Sequence, residues 1–304
     1  MISLKQLRYF DALARFGHFG RAADHCAVTQ PALSMQIQDL ERELGLKLVE
    51  RRRGGIRLTG QGREIARRAA QILAGVRDLK DHAQHLAEGL SGTLQLGVIP
   101  SVAPYLLPRF LPKLRETYPS LDVRIRETQT AQLTRELLEG ELDLLIVALP
   151  VEQPDIETIR LFEDRFLLAL PASRRIDSRV RATPDILKGD RLLLLEEGHC
   201  LRDQALTFCD LRQVETIDTF GASSLTTLVQ MVANGLGLTL LPEICLDVEA
   251  ERAALNIMRF AEPEPSRTLG LAWRATSPRK ADFVAFGQII AEARPKPALA
   301  IPPA

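Results

Sequence analysis

The stretch AADHCAVTQPALSMQIQDLERELGLKLVERRRGGIRLTGQG, residues 22–62, decides the fold of the N-terminal part of the chain. Thr29 or Gln30 is placed to cap a helix that has Pro31 in its first turn and Gly45 at its end. Apolar residues recur within this helix at spacings of three and four, which predicts one buried face, formed by Leu33, Ile37, Leu40 and Leu44. The sequence therefore predicts an amphipathic helix with defined ends.

The segments around this helix predict a winged helix-turn-helix. LKQLRYFDALARFG and HFGRAADHCAVT predict two helices before it, and LKLVERRRGGIRLTGQG predicts a basic β-hairpin around Gly54 and Gly55 after it. In this fold the N-terminal part of the third helix enters the major groove and the wing contacts phosphates or a minor groove. The residues expected to contact DNA are Thr29, Gln30, Pro31, Ser34, Met35 and Gln38 on the helix, and Arg51, Arg52, Arg53 and Arg57 on the wing. The alternative is a solvated basic hairpin on another helical domain, which three consecutive arginines alone would favour.

Composition limits the class of protein. The chain has 304 residues, of which 46% are hydrophobic and 26% are charged, which suffices for two domains and a linker. Its net charge is zero, yet residues 1–90 hold 15 Lys and Arg against 10 Asp and Glu, so the N-terminal part is basic. This asymmetry favours a polyanionic partner at one end of the chain. No apolar run approaches the ~18 residues of a membrane span, and no secretion signal is evident, so we expect a cytoplasmic, nucleoid-associated protein without a membrane partner.

A long helix is predicted after the hairpin, from residue 59 to residue 90. Apolar residues alternate there at spacings of four and three, which defines a heptad seam: Ile65, Ala69, Ile72, Val76, Leu79, Ala83, Leu86 and Leu90. Because one helix cannot bury such a seam by itself, the pattern predicts helix pairing and hence a dimer. The alternative is a helix that packs against the core of its own domain.

Strands and helices alternate from Gly92 to about Arg294, which predicts an α/β architecture with mostly parallel sheets. A change of rhythm near residues 162–166 suggests two subdomains. The tail RPKPALAIPPA is rich in proline and alanine and is expected to be disordered.

These motifs together resemble the LysR-type transcriptional regulators. The resemblance is carried by residues 22–62, by GTLQLGVIPSVAPYLLP and by MVANGLGLTLLP, and it covers the whole chain except the tail. It implies an α/β protein with an N-terminal winged helix-turn-helix, a long linker helix and a C-terminal effector domain of two α/β subdomains, folded like a periplasmic binding protein. It also implies a dimer formed through the linker helix and often a tetramer. The corresponding division is 1–58, 59–90 and 91–304, with subdomain I at 91–163 and 269–295 and subdomain II at 164–268.

Within that family, the stretch EEGHCLRDQALTFCDL, residues 196–211, resembles the members that sense hydrogen peroxide. The resemblance implies that Cys200 is the peroxidatic thiol and that Cys209 is the resolving thiol of a reversible disulfide. Cys200 is predicted at a helix start next to His199 and Arg202, where helix N–H groups and cationic neighbours favour a thiolate. A single helix would separate the two cysteines by ~14 Å, whereas a disulfide needs Cα atoms roughly 4.4–6.8 Å apart. Disulfide formation would therefore require this segment to unwind.

The same resemblance implies a peroxide pocket at the mouth of the effector cleft. Its expected members are Ser101, Thr130, His199, Arg202 and Asp203. This chain has Ser101 where the family pattern usually has threonine, and Ala131 where a histidine can appear. The alternative for Ser101 and Thr130 is a helix-capping role. The other two thiols, Cys26 and Cys245, have apolar neighbours and are expected to be structural.

The leading functional hypothesis is a non-enzymatic regulator that activates or represses oxidative-stress genes. Its expected partners are promoter DNA, a second copy of itself, hydrogen peroxide, thiol reductants and RNA polymerase. A second hypothesis is a LysR-type regulator that binds a small metabolite between the effector subdomains and has inert cysteines. A third is a thiol peroxidase or disulfide oxidoreductase, which would leave the basic module and the heptad seam unexplained. We expect no cofactor and no metal, since the five histidines lack ligand spacing.

Overall fold

A computed structural model describes the backbone of residues 1–88, 90–176, 180–183, 186, 190–208 and 217–294. The chain divides into two compact units. The first consists of Met1–Ala87 with Glu136–Glu141, and the second of Glu88–Arg135 with Leu142–Ala304. Among the described residues, no helix combines the length and the apolar character that a membrane crossing needs.

The first unit begins with three helices and a hairpin. They are α1 Leu4–Phe16, α2 Phe19–His25, α3 Gln30–Leu44, β1 Val49–Arg52 and β2 Gly55–Leu58. The predicted apolar face of α3 is confirmed, because Leu33, Ile37 and Leu40 are buried and Leu44 packs against the same core. Each such side chain contributes about 1.5–3 kcal/mol when it is fully buried. The three helices therefore close around one small apolar core.

The ends of α3 agree with the sequence signals, with one correction. Gly45 adopts a left-handed conformation with φ of 66°, which ends the helix as predicted. Thr29 occupies the N-cap position, but its side chain makes no capping hydrogen bond. Gln30 is the first helical residue rather than the cap.

The hairpin turns one residue earlier than predicted. Arg52 pairs with Gly55, so the turn consists of Arg53 and Gly54, and Gly54 has φ of 89°. Gly55 opens β2 and is required for a different reason, since a Cβ atom there would lie 2.6 Å from the carbonyl oxygen of Gly17. The adjacent Ile56 N–H donates to that same oxygen at 2.8 Å, so the wing is attached to the end of α1.

The long helix α4 spans Gly60–Glu88. Three members of the predicted seam are exposed in the single chain: Ile72 at 50%, Val76 at 41% and Leu79 at 70%. Ala69, by contrast, is buried. Leu90 lies beyond the last residue of α4, so the helical part of the seam ends before it. The exposed apolar stripe is what the pairing hypothesis requires.

The second unit is built on strands connected by helices. In chain order these are β3 Gly92–Val98, α5 Ala103–Thr117, β4 Leu121–Glu127, α6 Thr130–Leu138, β5 Leu144–Leu149, β6 Ile156–Pro171, β7 Leu192–Leu195, α7 Cys200–Phe208, β8 Ile217–Ala222, α8 Leu225–Ala233, β9 Thr239–Pro242, a short 3-10 helix Glu243–Cys245, α9 Leu246–Arg252, β10 Leu255–Arg259, β11 Ser266–Arg274 and α10 Lys280–Glu292. Six strands follow the order β10-β6-β11-β5-β3-β4, and β9 also pairs with β6. The α/β prediction is confirmed.

The prediction of mostly parallel sheets is wrong for the described strands. β3 is parallel to β4 and β5, and β7 is parallel to β8. All described pairings of β6 and β11 are antiparallel. Parallel neighbours need a crossover connection, which α5 and α6 provide, whereas loops lead into β6 and into β11.

The strand β6 runs through the region where the change of rhythm was noted. Its residues up to Arg165 pair with β11, and its residues from Phe166 pair with β9 and β10. One sixteen-residue strand thus belongs to both halves of the effector fold. Helices also join the halves: the Tyr105 hydroxyl on α5 donates to Glu249 on α9 at 2.7 Å, and Arg109 pairs with Asp247 at 2.7 Å.

Candidate DNA-binding surface and thiol site

The residues predicted to contact base edges lie on one solvent-facing part of α3. Thr29, Gln30, Pro31, Met35 and Gln38 are exposed, and Ser34 is half-buried. Met35 has 56% of its surface exposed, which makes it accessible to an apolar partner such as a thymine methyl. The arrangement presents amide, hydroxyl and apolar groups side by side.

The wing arginines Arg51, Arg52, Arg53 and Arg57 are exposed, but they are not equivalent. Arg51 donates from Nη2 to the Ser34 hydroxyl at 3.1 Å, and its guanidinium lies 5.2 Å from the centre of the Phe19 ring. Among the described residues, the ion pair of Arg52 is a 3.9 Å contact with Glu50 on its own strand. The structure therefore connects Arg51 to α3 and α2, whereas Arg52 stays available for a phosphate.

A buried carboxylate that the sequence reasoning missed fixes the base of the wing. Glu41 on α3 accepts hydrogen bonds from the Leu48 N–H at 2.8 Å, the Val49 N–H at 3.3 Å and Lys47 Nζ at 2.7 Å. Burial alone would raise the pKa of Glu41, but these three donors outweigh it and hold the pKa below its ordinary value. The available signal was the position of Glu41 next to Leu40, on the buried side of the predicted helix.

The candidate thiol lies at the N-terminus of a helix, as predicted. Cys200 is the first residue of α7, is half-buried and is a free thiol. Gly198 precedes it with φ of 92°, and a Cβ atom there would lie 2.5 Å from Gln129 Oε1. Gln129 Nε2 also donates to the Glu197 carbonyl at 3.3 Å. The loop before Cys200 is thus packed against the residue that precedes Thr130.

The polar neighbours of Cys200 differ in their burial and in their contacts. His199 is buried, and its Nε2 lies 3.8 Å from Glu196 Oε1. Arg202 Nη1 donates to the Leu195 carbonyl at 3.4 Å, which connects α7 to the end of β7. Asp203 is exposed in the first turn of α7. Cys209, the predicted resolving thiol, lies outside the described residues.

Neither of the two predicted hydroxyls caps its helix. The Thr130 Oγ1 atom is buried and has no hydrogen-bond partner among the described residues. Ser101 is buried before α5, whose N-cap position belongs to Val102 and has no side-chain capping bond. The capping alternative therefore receives no support at either position.

Ser101 instead contacts Arg267, which in turn pairs with Asp164, and the sequence reasoning missed both charged residues. Arg267 on β11 donates from Nη1 to Ser101 Oγ at 2.8 Å and from Nη2 to the Ser101 carbonyl at 3.2 Å. The same guanidinium donates from Nε to Asp164 Oδ2 at 2.9 Å. Burial raises the pKa of Asp164, while Arg267 and the Ile244 N–H act in the opposite direction. Both residues lie in strands that carry further charged side chains, so the sequence did not distinguish this pair.

The two remaining described cysteines lie where burial makes their thiols unreactive. Cys26 and Cys245 are buried, and burial raises the pKa of both thiols. The Cys245 Sγ–H donates to the Pro242 carbonyl at 3.0 Å. Since the thiolate is the reactive form, both sites disfavour reaction with an oxidant. No group of metal-binding side chains occurs in the part of the chain that was described.

A winged helix-turn-helix joined to this α/β unit defines a class of bacterial transcription regulator. The model of the "bacterial regulatory helix-turn-helix protein, lysR family" matches residues 4–63, and that of the "LysR substrate binding domain" matches residues 87–295. The chain belongs to the LysR family.

Within that family, the chain is similar to OxyR proteins. It is 40% identical to the DNA-binding transcriptional dual regulator OxyR of Escherichia coli K12. The identity is measured over 289 residues, which are 95% of each chain. A full-length OxyR variant from Pseudomonas aeruginosa has a TM-score of 0.78 and 34% identity, covering 97% of this chain and 98% of that one. A hydrogen-peroxide-bound OxyR variant from Corynebacterium glutamicum has a TM-score of 0.66 and 34% identity. The match covers 96% of this chain and 92% of that one.

Proposed function

We propose that this protein is a DNA-binding transcription regulator that senses hydrogen peroxide through Cys200 and controls oxidative-stress genes. The observation that carries the proposal is the position of Cys200, a half-buried free thiol at the first residue of α7, in a chain that also has a winged helix-turn-helix. The similarity to OxyR proteins, one of them bound to hydrogen peroxide, supports this assignment.

In the first step, the Cys200 thiolate attacks one oxygen of hydrogen peroxide. The sulfur–oxygen bond forms as the oxygen–oxygen bond breaks, and the leaving hydroxide takes a proton to become water. The sulfur is oxidised to a sulfenic acid, and the peroxide is reduced. Ser101 and Thr130 are the proposed hydroxyl donors to the peroxide, while His199, Arg202 and Asp203 shape the loop around the thiol.

In the second step, the Cys209 thiol attacks the sulfenic sulfur, which forms a disulfide and releases water. Two equivalents of a thiol reductant would restore both cysteines. Because α7 begins at Cys200 and continues to Phe208, the disulfide requires at least the end of this helix to rearrange. Redox chemistry at one residue would thereby become a change in backbone structure.

The DNA-binding part of the proposal divides the contacts by role. Gln30, Ser34, Met35 and Gln38 would contact base edges, and Thr29 and Pro31 would set the start of α3 in the groove. Arg52, Arg53 and Arg57 would contact phosphates. The proposed partners are promoter DNA, a second copy of the chain in a dimer or tetramer, and RNA polymerase, in the cytoplasm at the nucleoid. The protein would act as a stoichiometric sensor rather than an enzyme. The DNA-binding domain, the linker helix and the regulatory domain would correspond to residues 1–58, 59–90 and 91–304.

The decisive experiment is mass mapping of the peptide that contains residues 196–212 before and after equimolar hydrogen peroxide. We expect loss of both thiols and a mass consistent with a disulfide between Cys200 and Cys209. Cys200→Ser should abolish the reaction without changing the affinity of the reduced protein for DNA, whereas the matched control Cys245→Ser should react like the wild type. Unchanged thiols at positions 200 and 209 would contradict the proposal and favour a metabolite-binding regulator.

A further inference from the structure

One buried group of polar side chains joins three separate parts of the effector fold. Asp164 lies on β6 with 2% of its surface exposed, and Arg267 lies on β11 with 3% exposed. Asp164 Oδ1 accepts from the Ile244 N–H at 3.0 Å, at the start of the 3-10 helix, and Asp164 Oδ2 accepts from Arg267 Nε at 2.9 Å. Both carboxylate oxygens therefore have partners, and the orientation of Arg267 is fixed on one side.

On its other side, the Arg267 guanidinium contacts Ser101 twice, at the hydroxyl and at the backbone carbonyl. An arginine only donates hydrogen bonds, so the Ser101 oxygen must be the acceptor in the 2.8 Å bond. The hydroxyl hydrogen of Ser101 is consequently left to donate elsewhere. A serine without this contact could rotate and use its hydroxyl as a donor to a nearby carbonyl.

We propose that Asp164 is a positioning residue for the peroxide reaction, which it serves by fixing Arg267 so that the Ser101 hydroxyl is oriented as a donor to the bound peroxide. The inference rests on the proposed function of Cys200. Asp164 itself does not touch the peroxide in this scheme. Its carboxylate acts through one intermediate side chain.

Stability alone is a weak reason for this arrangement. Removing two charges from water is costly, and well-packed apolar residues often replace a buried ion pair without loss of stability. The pair instead holds a planar guanidinium at a defined angle toward one serine, and this is a property that apolar packing cannot supply. Orientation of Ser101 is the specific consequence that the contacts support.

The test compares two reactions of Cys200 in full-length Asp164→Asn protein. The rate of oxidation by hydrogen peroxide should fall about 10- to 100-fold, because a misplaced donor no longer meets the reacting oxygen. The rate of alkylation by iodoacetamide should stay within about twofold of the wild type, since that reaction needs only an accessible thiolate. Glu163→Gln is the matched control, because it removes the neighbouring carboxylate, which contacts the exposed Arg160 and Thr268, and should leave both rates unchanged.

A double-mutant cycle distinguishes positioning from general disturbance. Ser101→Ala and the combined Ser101→Ala/Asp164→Asn protein should oxidise at the same rate, because Asp164 has nothing left to position once the hydroxyl is gone. Should Asp164→Asn fail to fold, the pair Asp164→Asn/Arg267→Gln removes both charges together, and the same slow oxidation is expected for it.

Additive effects of the two substitutions would overturn the inference, and so would a peroxide rate within twofold of the wild type. An equal loss in the alkylation rate would also overturn it, since the whole thiol site would then be disturbed. If the wild-type Cys200 does not react with peroxide at all, the proposed function fails. If the wild type reacts and Asp164→Asn behaves identically, only the positioning role fails.

Discussion

Glu41 is a single residue on which the position of the wing depends. Its pKa in the folded protein lies below the ordinary value of 4.5, so the unfolded chain binds the proton more readily. The stability that Glu41 contributes is therefore fully present above about pH 4.5 and is lost as the pH falls through the lowered folded value. Acid should loosen the connection between α3 and β1 before it affects the apolar core.

We predict that Glu41→Gln lowers the free energy of local opening at the Leu48 and Val49 amides by about 1–3 kcal/mol at neutral pH, because one buried and one half-buried N–H group lose a charged acceptor. Amide hydrogen exchange of the full-length protein would measure the loss. The difference from the wild type should begin to shrink below about pH 4.5 and should vanish once the pH lies below the lowered folded pKa, where the wild-type carboxylate is also neutral. Glu43→Gln, two residues further along α3, is the control and should leave these amides unaffected.

At the scale of elements, the two neighbouring arginines of β1 should have separable effects. Arg52→Ala should weaken binding to specific and random duplexes alike and lower the slope of log K against log salt by about one, as loss of one phosphate contact does. Arg51→Ala should weaken specific binding more than random binding, because Arg51 holds the Ser34 side chain on α3. Fluorescence anisotropy at several salt concentrations would measure the affinity of each variant for both duplexes. Identical losses of affinity in the two variants would contradict separate roles for Arg51 and Arg52.

Elements defined by local spacing could be predicted from the sequence, and elements defined by distant pairing could not. The helices α1 to α4 and the hairpin β1–β2 follow from apolar periodicity, Pro31, Gly45 and the glycine pair. Strand direction in the effector unit depends on which strands become neighbours, and local sequence does not encode this. The Asp164–Arg267 contact was missed for the same reason, since its partners lie 103 positions apart. The place of Cys200 at a helix start could be predicted because the signal, Gly198 followed by polar residues, lies next to it in the sequence.

At the scale of the whole molecule, the exposed stripe on α4 predicts self-association. Leu79→Lys places a charge on the face where Ile72 and Val76 are also exposed, and it should shift the protein toward a monomer in sedimentation experiments. Gln71→Lys adds the same charge to an exposed position outside the seam and serves as the control. Equal association of the two variants would mean that this stripe is not the contact between subunits.

The continuous strand β6 has a mechanical consequence for any redox response. The strand continues as one element from Ile156 to Pro171, with a register shift in its pairing opposite Leu269 and Gly270, so a single strand joins the half that contains β5 to the half that contains β10. Motion that starts at α7 would reach the other half through this strand or through the contacts between α5 and α9. Deuterium uptake along residues 156–171 should accordingly remain slow in both the thiol and the disulfide form, even where residues 196–208 exchange faster after oxidation.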